Sequence, residues 1–323
     1  MEGSEHRPTR GGYVVGIGAA NIDLMGRSAK PLVMEDSNPG DIHMSVGGVT
    51  HNILANAALL GVETKLVTAL GDDLYADEVR RHCDRIGIDW SGCMVIPGHP
   101  SATYLSLHDH LGEMALAVSD MHLFQKLTPE MLETRRPILE GAGIILIDTC
   151  LPEAVLAYLA ETYGDHIPIY VDPVSTGYAK RISGSLQGFH TLKPNRLELS
   201  SMTGIDAVTD WEGACRCLLD RGAERVVVSL GRQGSYSLDR QGHAVRLRGE
   251  PLDFIANATG AGDAFMGGLL YAALHDLSPA ESLLLASGVA RLALQHTDTI
   301  NPDITLQRAW EEAEKGHLRT EIL

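Results

Sequence analysis

The chain has 323 residues, 44% of them hydrophobic, with 26 basic against 42 acidic side chains and a formal charge of −16. So acidic a surface repels a phosphate polymer, and with mean hydropathy near zero and no run of the ~18–20 apolar residues a membrane span needs, neither nucleic acid nor membrane is an expected partner. The five cysteines (83, 93, 150, 215, 217) are odd in number and form no CxxC pair, and Met1–Arg10 lacks the apolar core of a secretory signal, so reduced thiols in the cytoplasm are expected.

Residues 13–18, Tyr-Val-Val-Gly-Ile-Gly, read as a buried strand. Gly16-Ile-Gly18-Ala-Ala-Asn21 is a poor dinucleotide fingerprint, because Asn21 stands at the third glycine position. Asn21 and Asp23 fall just past a first strand, where open α/β sheets bind ligands, although a plain turn would use the same residues. The text from Leu24 to Met44 is short, alternating and broken by Ser37-Asn38-Pro39-Gly40, as in a hairpin. A second pair, Ala102–Leu107 and Glu113–Val118, flanks the turn Asp109–Gly112. The two ribbons, within about 24–46 and 101–119, predict a small β-sheet lid that closes on substrate and excludes water.

Between the ribbons, Gly47-Gly48 opens an Ala/Leu-rich helix to Leu60, with Asn52 one turn in. Paired glycines at a helix start let a ligand approach the backbone. Val67–Leu70 reads as a strand, and Gly71-Asp72-Asp73 leads into a helix over Leu74–Arg85. His108 and His110 form an HxH with no third ligand nearby. Strands at Ile144–Ile147, Ile169–Val171 and Arg225–Leu230 then alternate with helices from Pro152 and over 209–221. Such alternation of nearly continuous apolar strands with helices predicts a mostly parallel sheet covered on both faces. Leu192–Glu198 lies between them. Gly231–Gly234 turns the chain into Ser235–Leu238, Asp239–Gly242 is a hairpin turn, and helices over 278–295 and 305–315 close the chain.

The stretch Asn257–Asp276 carries the clearest chemistry. Gly260-Ala261-Gly262 is a small-residue turn, and from Asp263 the pattern is helical, with Phe265, Leu269, Leu270, Ala273 and Leu274 on one stripe. Such a turn offers unpaired backbone N–H groups at the positive end of a helix dipole, a site for phosphate or a developing oxyanion. Asp263 in the first turn is expected to stay ionised cheaply and to accept a proton from an approaching hydroxyl. Simple helix capping is the competing reading of the same spacing.

Ala258-Thr-Gly-Ala-Gly-Asp-Ala264 resembles the signature of the ribokinase-like (PfkB-type) carbohydrate and nucleoside kinases. The likeness extends in family order through Asn21-Ile-Asp23, Gly47-Gly48 with Asn52, Gly71-Asp72-Asp73, Lys193-Pro-Asn195-Arg-Leu-Glu198 and Ser229-Leu-Gly231-Arg-Gln-Gly234. Asp36–Gly40, Thr103–Leu107, Gly112–Met114, Asp120-Met121, Val171–Ser175 and His190–Glu198 look like the pseudouridine kinase branch in particular. The resemblance implies one ribokinase-like α/β/α domain over 1–323 and ATP-dependent phosphorylation of a nucleoside 5′-hydroxyl. By position it implies Asp263 as base, Gly260, Ala261 and Gly262 as anion hole, and Asn21, Asp23, Gly47, Gly48 and Asn52 at the sugar. Ser37, Asn38, Tyr104 and Met121 would contact the base, or Tyr104 and Met121 would pack the lid. Lys193, Asn195, Ser229, Gly231 and Gly234 would line the ATP site, Lys193 being otherwise an ordinary surface lysine. Asn195 and Glu198 would organise Mg²⁺ through water, or Glu198 would be a solvated helix residue. Asn257 stands where many members place a potassium-binding Asp, and without that charge a K⁺ site is weakened. Asp148 and Asp172, at strand ends, read as capping residues. A homodimer through the lid edges is expected. A kinase for ribose or another nucleoside, and a catalytically silent sugar- or nucleoside-binding regulator, are the competing functions.

Overall fold

The structure is a computed structural model describing residues 12–182 and 184–323; the reading of Met1–Arg10 lies outside them. In chain order, β1 (Tyr13–Ile17) is followed by β2 (Asn21–Ser28), β3 (Gly40–Gly47), α1 (Val49–Leu59), β4 (Thr64–Val67), β5 (Ala69–Leu70) and α2 (Leu74–Ile86). Then come β6 (Ile88–Asp89), β7 (Met94–Val95), β8 (Thr103–His108), β9 (Met114–Asp120), α3 (Pro129–Glu133), α4 (Arg136–Glu140), β10 (Ala142–Asp148) and α5 (Glu153–Tyr163). The second half holds β11 (Ile169–Asp172), β12 (Thr191–Leu192), α6 (Arg196–Thr203), α7 (Trp211–Asp220), β13 (Arg225–Ser229), β14 (Ser235–Asp239) and β15 (Ala244–Arg248). It ends with α8 (Ala261–Leu274), α9 (Pro279–Leu294), α10 (Leu306–Lys315) and β16 (Arg319–Ile322).

Among the described residues the main sheet runs β16-β15-β14-β13-β12-β11-β10-β1-β4-β6. It is parallel from β6 through β13 and antiparallel from β13 to β16. Side chains alternate across a strand, so β1 feeds two cores. Val15 and Ile17 pack with Val155 and Leu159 of α5, Leu199 of α6 and Leu218 of α7. Val14 packs on the other face with Leu54 of α1, Phe265 and Leu269 of α8 and Leu283 of α9. Burial on both faces is why these strands read as continuous apolar runs.

The four-stranded sheet β3-β2-β8-β9 is separate. Its ribbons match the two expected from sequence, and β2 joins them by pairing parallel with β8. In register, Leu24, Leu105 and Val118 share one face with Met44, and Leu107 and Leu116 share it with Ile42. Asp23, Ser45, Tyr104 and Ser119 share the opposite face.

Several expectations need correction. The expected strand Val67–Leu70 is two pieces, because β4 ends at Val67 and β5 leaves the main sheet to pair with β7. The segment after Lys193, assigned no element from sequence, enters α6 through a reciprocal cap between Asn195 and Glu198. The final strand β16 has no alternating burial; it pairs with β15 and lies against α9, long-range contacts that local pattern does not carry.

Asp148 ties the strand ends together. Fully buried, its carboxylate accepts from Ala19 N–H at 2.7 Å, the Thr50 hydroxyl at 2.7 Å and Cys150 N–H at 2.9 Å. It thus joins the end of β1, the start of α1 and the end of β10. Asp148→Ala would strand three buried donors, and we expect a loss of about 2–4 kcal/mol of stability, read as a lower denaturation midpoint with an unchanged slope.

Candidate active site

The site forms where the parallel strands end. Asp148 and Asp172 are ladder neighbours at the carboxyl ends of β10 and β11. Lys193 follows β12, its N–H bonded to the Val171 carbonyl at 3.1 Å. Its ammonium lies 3.1 Å from an Asp172 oxygen, with both side chains almost wholly buried. The surface reading of Lys193 is therefore wrong, because the strand end that carries it points inward. Burial works against its charge, but Asp172, Glu198 and Asp263 outweigh that and raise its proton affinity.

Helix α8 starts at Gly260, whose φ of 82° is left-handed, and no side chain caps this end. A Cβ there would also lie 2.3 Å from the Thr299 carbonyl oxygen. Only glycine permits this entry, which leaves the first-turn N–H groups of Ala261, Gly262 and Asp263 without helical acceptors. The Lys193 ammonium stands 3.4 Å from where a Cβ of Gly262 would be, so a fixed cation adjoins the open helix end. Asp263 accepts an N–H from the Asn52 carboxamide at 3.1 Å. The expectation that Asp263 is cheap to ionise is overturned. Burial, then repulsion by Asp172, pushes its carboxyl up to about 8, against the pull of Asn52 and Lys193. The first-turn dipole is too weak to offset burial and that repulsion.

Asn21 and Asp23 are joined by an Asn21 amide N–H on the Asp23 carboxylate at 2.6 Å, and burial pushes the Asp23 carboxyl up to about 6. Gly47 makes room for it, since a Cβ at 47 would lie 2.1 Å from an Asp23 oxygen. Gly48, at φ 100°, begins α1, so Asp23, Gly47, Gly48 and Asn52 form one connected patch. Tyr104 is Asp23's register partner on β8, and its hydroxyl donates to Met114 Sδ at 3.7 Å. Asn38 is engaged within its own loop, bonding Val33 N–H, Val33 carbonyl and Asp36 carbonyl. Ser37 is exposed in the same loop, and Met121 packs half-buried against the core.

On the other side, Asn195 and Glu198 cap one another: the Asn195 side chain accepts from Glu198 N–H at 2.9 Å, and the Glu198 carboxylate accepts from Asn195 N–H at 2.8 Å. Glu198 is buried, not a solvated helix residue, and burial followed by Asp172 raises its carboxyl. Asn195 bridges to Ser229 at the end of β13. Gly231 and Gly234, at φ 60° and 86°, shape the turn beyond.

Asp172, Glu198 and Asp263 all act on one ammonium, with Asp148 beside Asp172, an acidic cluster that suits a divalent cation arriving with phosphates and water. Among the described residues no group of three or more His, Cys, Asp or Glu could hold a metal alone, and His108 of the HxH bonds the Gly112 carbonyl and the Ser106 hydroxyl. Potassium fits less well. The Asn257 amide donates to the Thr297 carbonyl at 2.9 Å, and its oxygen accepts from Thr259 N–H at 2.9 Å. An N–H thus faces the carbonyl that a cation would need, and the residues do not fit K⁺.

The chain matches the pfkB family carbohydrate kinase model over residues 12–306. It belongs to that family. It is 36% identical to the pseudouridine kinase of Escherichia coli (strain K12) over 91% of this chain and 94% of that protein. It is 32% identical to an uncharacterized sugar kinase of the same organism, over 96% and 85%. The Arabidopsis thaliana ribokinase solved with ribose and ATP superposes with a TM-score of 0.83, covering 94% of this chain and 99% of that one, at 21% identity. The fold is ribokinase-like α/β with a separate small sheet, and the chain is a sugar or nucleoside kinase, a phosphotransferase acting on a hydroxyl. A second ribokinase of this fold, from Cryptococcus neoformans var. grubii, was solved in complex with ADP. No helix among the described residues is long and apolar enough to cross a membrane.

Sequence reasoning set Asp172 and Asp148 aside as caps and did not single out His51 or His82. Two successive strands ending in Asp was the available signal for the first pair. Because Asp263 binds its proton more tightly folded than unfolded, its contribution to stability is full below about pH 4 and is lost as pH rises through about 8. Asp263→Asn removes that penalty, and we expect the variant to be more stable than the parent at pH 8–9, by on the order of 1 kcal/mol in the open, solvent-screened cleft, and equal to it near pH 4. Thermal unfolding across pH checks this.

Proposed function

We propose that this kinase transfers the γ-phosphoryl group of ATP to the 5′-hydroxyl of pseudouridine. The observation that carries the reading is the Asp263 carboxylate, bonded to Asn52 and set at the open N-terminus of α8 beside Lys193. The choice of nucleoside is supported by 36% identity to a pseudouridine kinase across nearly the full length of both chains.

In this mechanism Asp23, Asn52 and the Gly47-Gly48 backbone hold the ribose hydroxyls and present the 5′-oxygen. Asp263 accepts the 5′-proton as the oxygen attacks phosphorus in line. Once ionised, a carboxylate with this raised proton affinity is a stronger base than an ordinary one, and the Asn52 N–H and the Lys193 ammonium favour the ionised form. The amides of residues 260–262 and Lys193 face the charge that spreads over the phosphoryl oxygens. Asn195, Ser229, Gly231 and Gly234 line the nucleotide side. Mg²⁺, when bound, would neutralise phosphate charge, with Asn195 and Glu198 holding its water shell. The whole chain acts as one kinase domain, with the small sheet as a lid whose Asp23–Tyr104 face closes on the nucleoside and excludes water. Tyr104 is the base contact we favour from that sheet, ahead of Ser37, Asn38 and Met121, which sit in local or core contacts. The opposite face exposes Ile42, Met44, Leu105, Leu107, Leu116 and Val118, and a second copy of the chain would cover it.

Asp263→Asn should lower kcat by ~10²–10⁴ with little change in nucleoside affinity. The companion measurement offers pseudouridine, uridine, adenosine and ribose, each with ATP and Mg²⁺, and follows product mass. The highest kcat/KM is expected for pseudouridine; preference for ribose would move the assignment to a sugar kinase, and no ATP consumption with any acceptor would leave a binding protein.

Because the Asn257 N–H already links the two loops, turnover should change less than about twofold when K⁺ replaces Na⁺ at constant ionic strength. Asp at 257 would repel the Thr297 carbonyl, so Asn257→Asp should create K⁺ dependence in the same assay.

A further inference from the structure

Behind Asn52 runs a chain of hydrogen bonds that the phosphoryl-transfer reading does not use. His51 on α1 is wholly buried. Its Nδ1 lies 3.2 Å from the Asn52 side-chain oxygen, and its Nε2 lies 3.1 Å from Nδ1 of His82 on α2. The two rings are 4.9 Å apart, and His82 is half-buried.

The hydrogen positions follow from donor counting. The Asn52 nitrogen donates to the Asp263 carboxylate, so its oxygen faces His51. An amide oxygen only accepts, which requires the hydrogen of His51 on Nδ1. Burial, and then His82, keep His51 neutral, with its proton affinity lowered to about 3. A neutral imidazole has one N–H, so Nε2 of His51 must accept, and His82 Nδ1 must donate to it. Every donor in the series His82, His51, Asn52 therefore points toward Asp263. If the series is broken, the Asn52 carboxamide can turn over and present its oxygen to Asp263, an arrangement that only a protonated carboxyl satisfies.

We propose that His51 and His82 are positioning residues for phosphoryl transfer, fixing the Asn52 carboxamide with its N–H on Asp263 and so keeping that carboxyl available as a base. The inference rests on the reading of Asp263 as base. It assigns no contact between either histidine and substrate.

The test compares His82→Ala, His82→Asn, His51→Leu, Asn52→Ala and the double variant His82→Ala/Asn52→Ala. His82→Asn keeps an N–H near the position of Nδ1, whereas His82→Ala does not. With saturating nucleoside and ATP, His82→Ala should lower kcat about tenfold, the scale of one charge-assisted hydrogen bond, and leave KM for ATP within twofold. His82→Asn should recover most of that loss, and His82→Ala should have no further effect once Asn52 is Ala. The acid limb of kcat/KM should move to higher pH in His82→Ala, because Asp263 loses an N–H that favours its ionised form. The other charged groups facing these residues stay in place: Asp172, Asp148 and Lys193 around Asp263, and Glu78 and Arg85 around His82. Unchanged kcat and acid limb in His82→Ala overturns the proposal, as does equal impairment of His82→Ala and His82→Asn, or an additive double variant. His51→Leu serves as the second, more severe break, and full activity there is likewise fatal. Asp263→Asn is assayed in parallel: if it is active, the base assignment fails; if it is inactive while the histidine variants are silent, only the positioning role fails.

Discussion

Three carboxyl groups, those of Asp172, Glu198 and Asp263, act on one ammonium at the carboxyl ends of the parallel strands, with Asp148 beside Asp172, and the site's chemistry follows from how each of the four is compensated. Asp148 has two backbone N–H groups and a hydroxyl. Asp172 has Lys193, as well as the Val174 N–H at 2.8 Å. Glu198 has the helix cap it shares with Asn195. Asp263 has one neutral amide from Asn52 and only a more distant share of Lys193. The least compensated carboxyl is the one at the open helix end, where a hydroxyl would approach. Environment alone thus sets the proposed proton acceptor apart from the three better-compensated carboxyl groups, the pattern by which identical side chains take different roles.

This arrangement depends on the sheet more than on any loop. Parallel strands put their carboxyl ends on one edge, so Asp148, Asp172 and Lys193 reach the site as the residues that end or follow β10, β11 and β12. The helices then bring their N-termini to the same edge. Glycine at 260 and at 48 lets α8 and α1 start there without a side chain in the way. The cost falls on stability, because a carboxyl that prefers its proton until about pH 8 is expensive to ionise in the folded protein.

The fold was legible wherever burial leaves a local signature. The continuous apolar runs of β1, β10, β11 and β13 and the small-residue turn before α8 are in the sequence. The four-stranded sheet was readable as two ribbons, because each has its own turn. What the sequence does not carry is contact between distant segments: β16 on β15, the division of β4 from β5, and the joining of the two ribbons through β2 and β8. The site divides in the same way. Gly260–Asp263 and Gly47-Gly48 announce themselves, as backbone chemistry confined to a few residues. Asp172 and Lys193 do not, since each is unremarkable until the ladder places them 3.1 Å apart. The ionisation of Asp263 was misjudged for the same reason, a helix dipole being visible in sequence while burial and a carboxylate 91 positions earlier are not. His51 and His82 belong to different helices, and nothing local to either hints at the other.

The small sheet shows how one register serves two surfaces. Residues on a strand alternate between faces, so the pairing that sets Asp23 beside Tyr104 also sets Leu24 beside Leu105. A shift of one residue would exchange the two faces, carrying the Asp23 carboxylate to the apolar side and the leucines to the polar one. The polar face cannot be altered independently of the apolar one. In the proposed lid, the apolar outer face is therefore not a surplus: whatever covers it also holds the register that presents Asp23. Gly47 completes the constraint, because β3 can lie against β2 at this point only where no side chain stands between it and the Asp23 carboxylate.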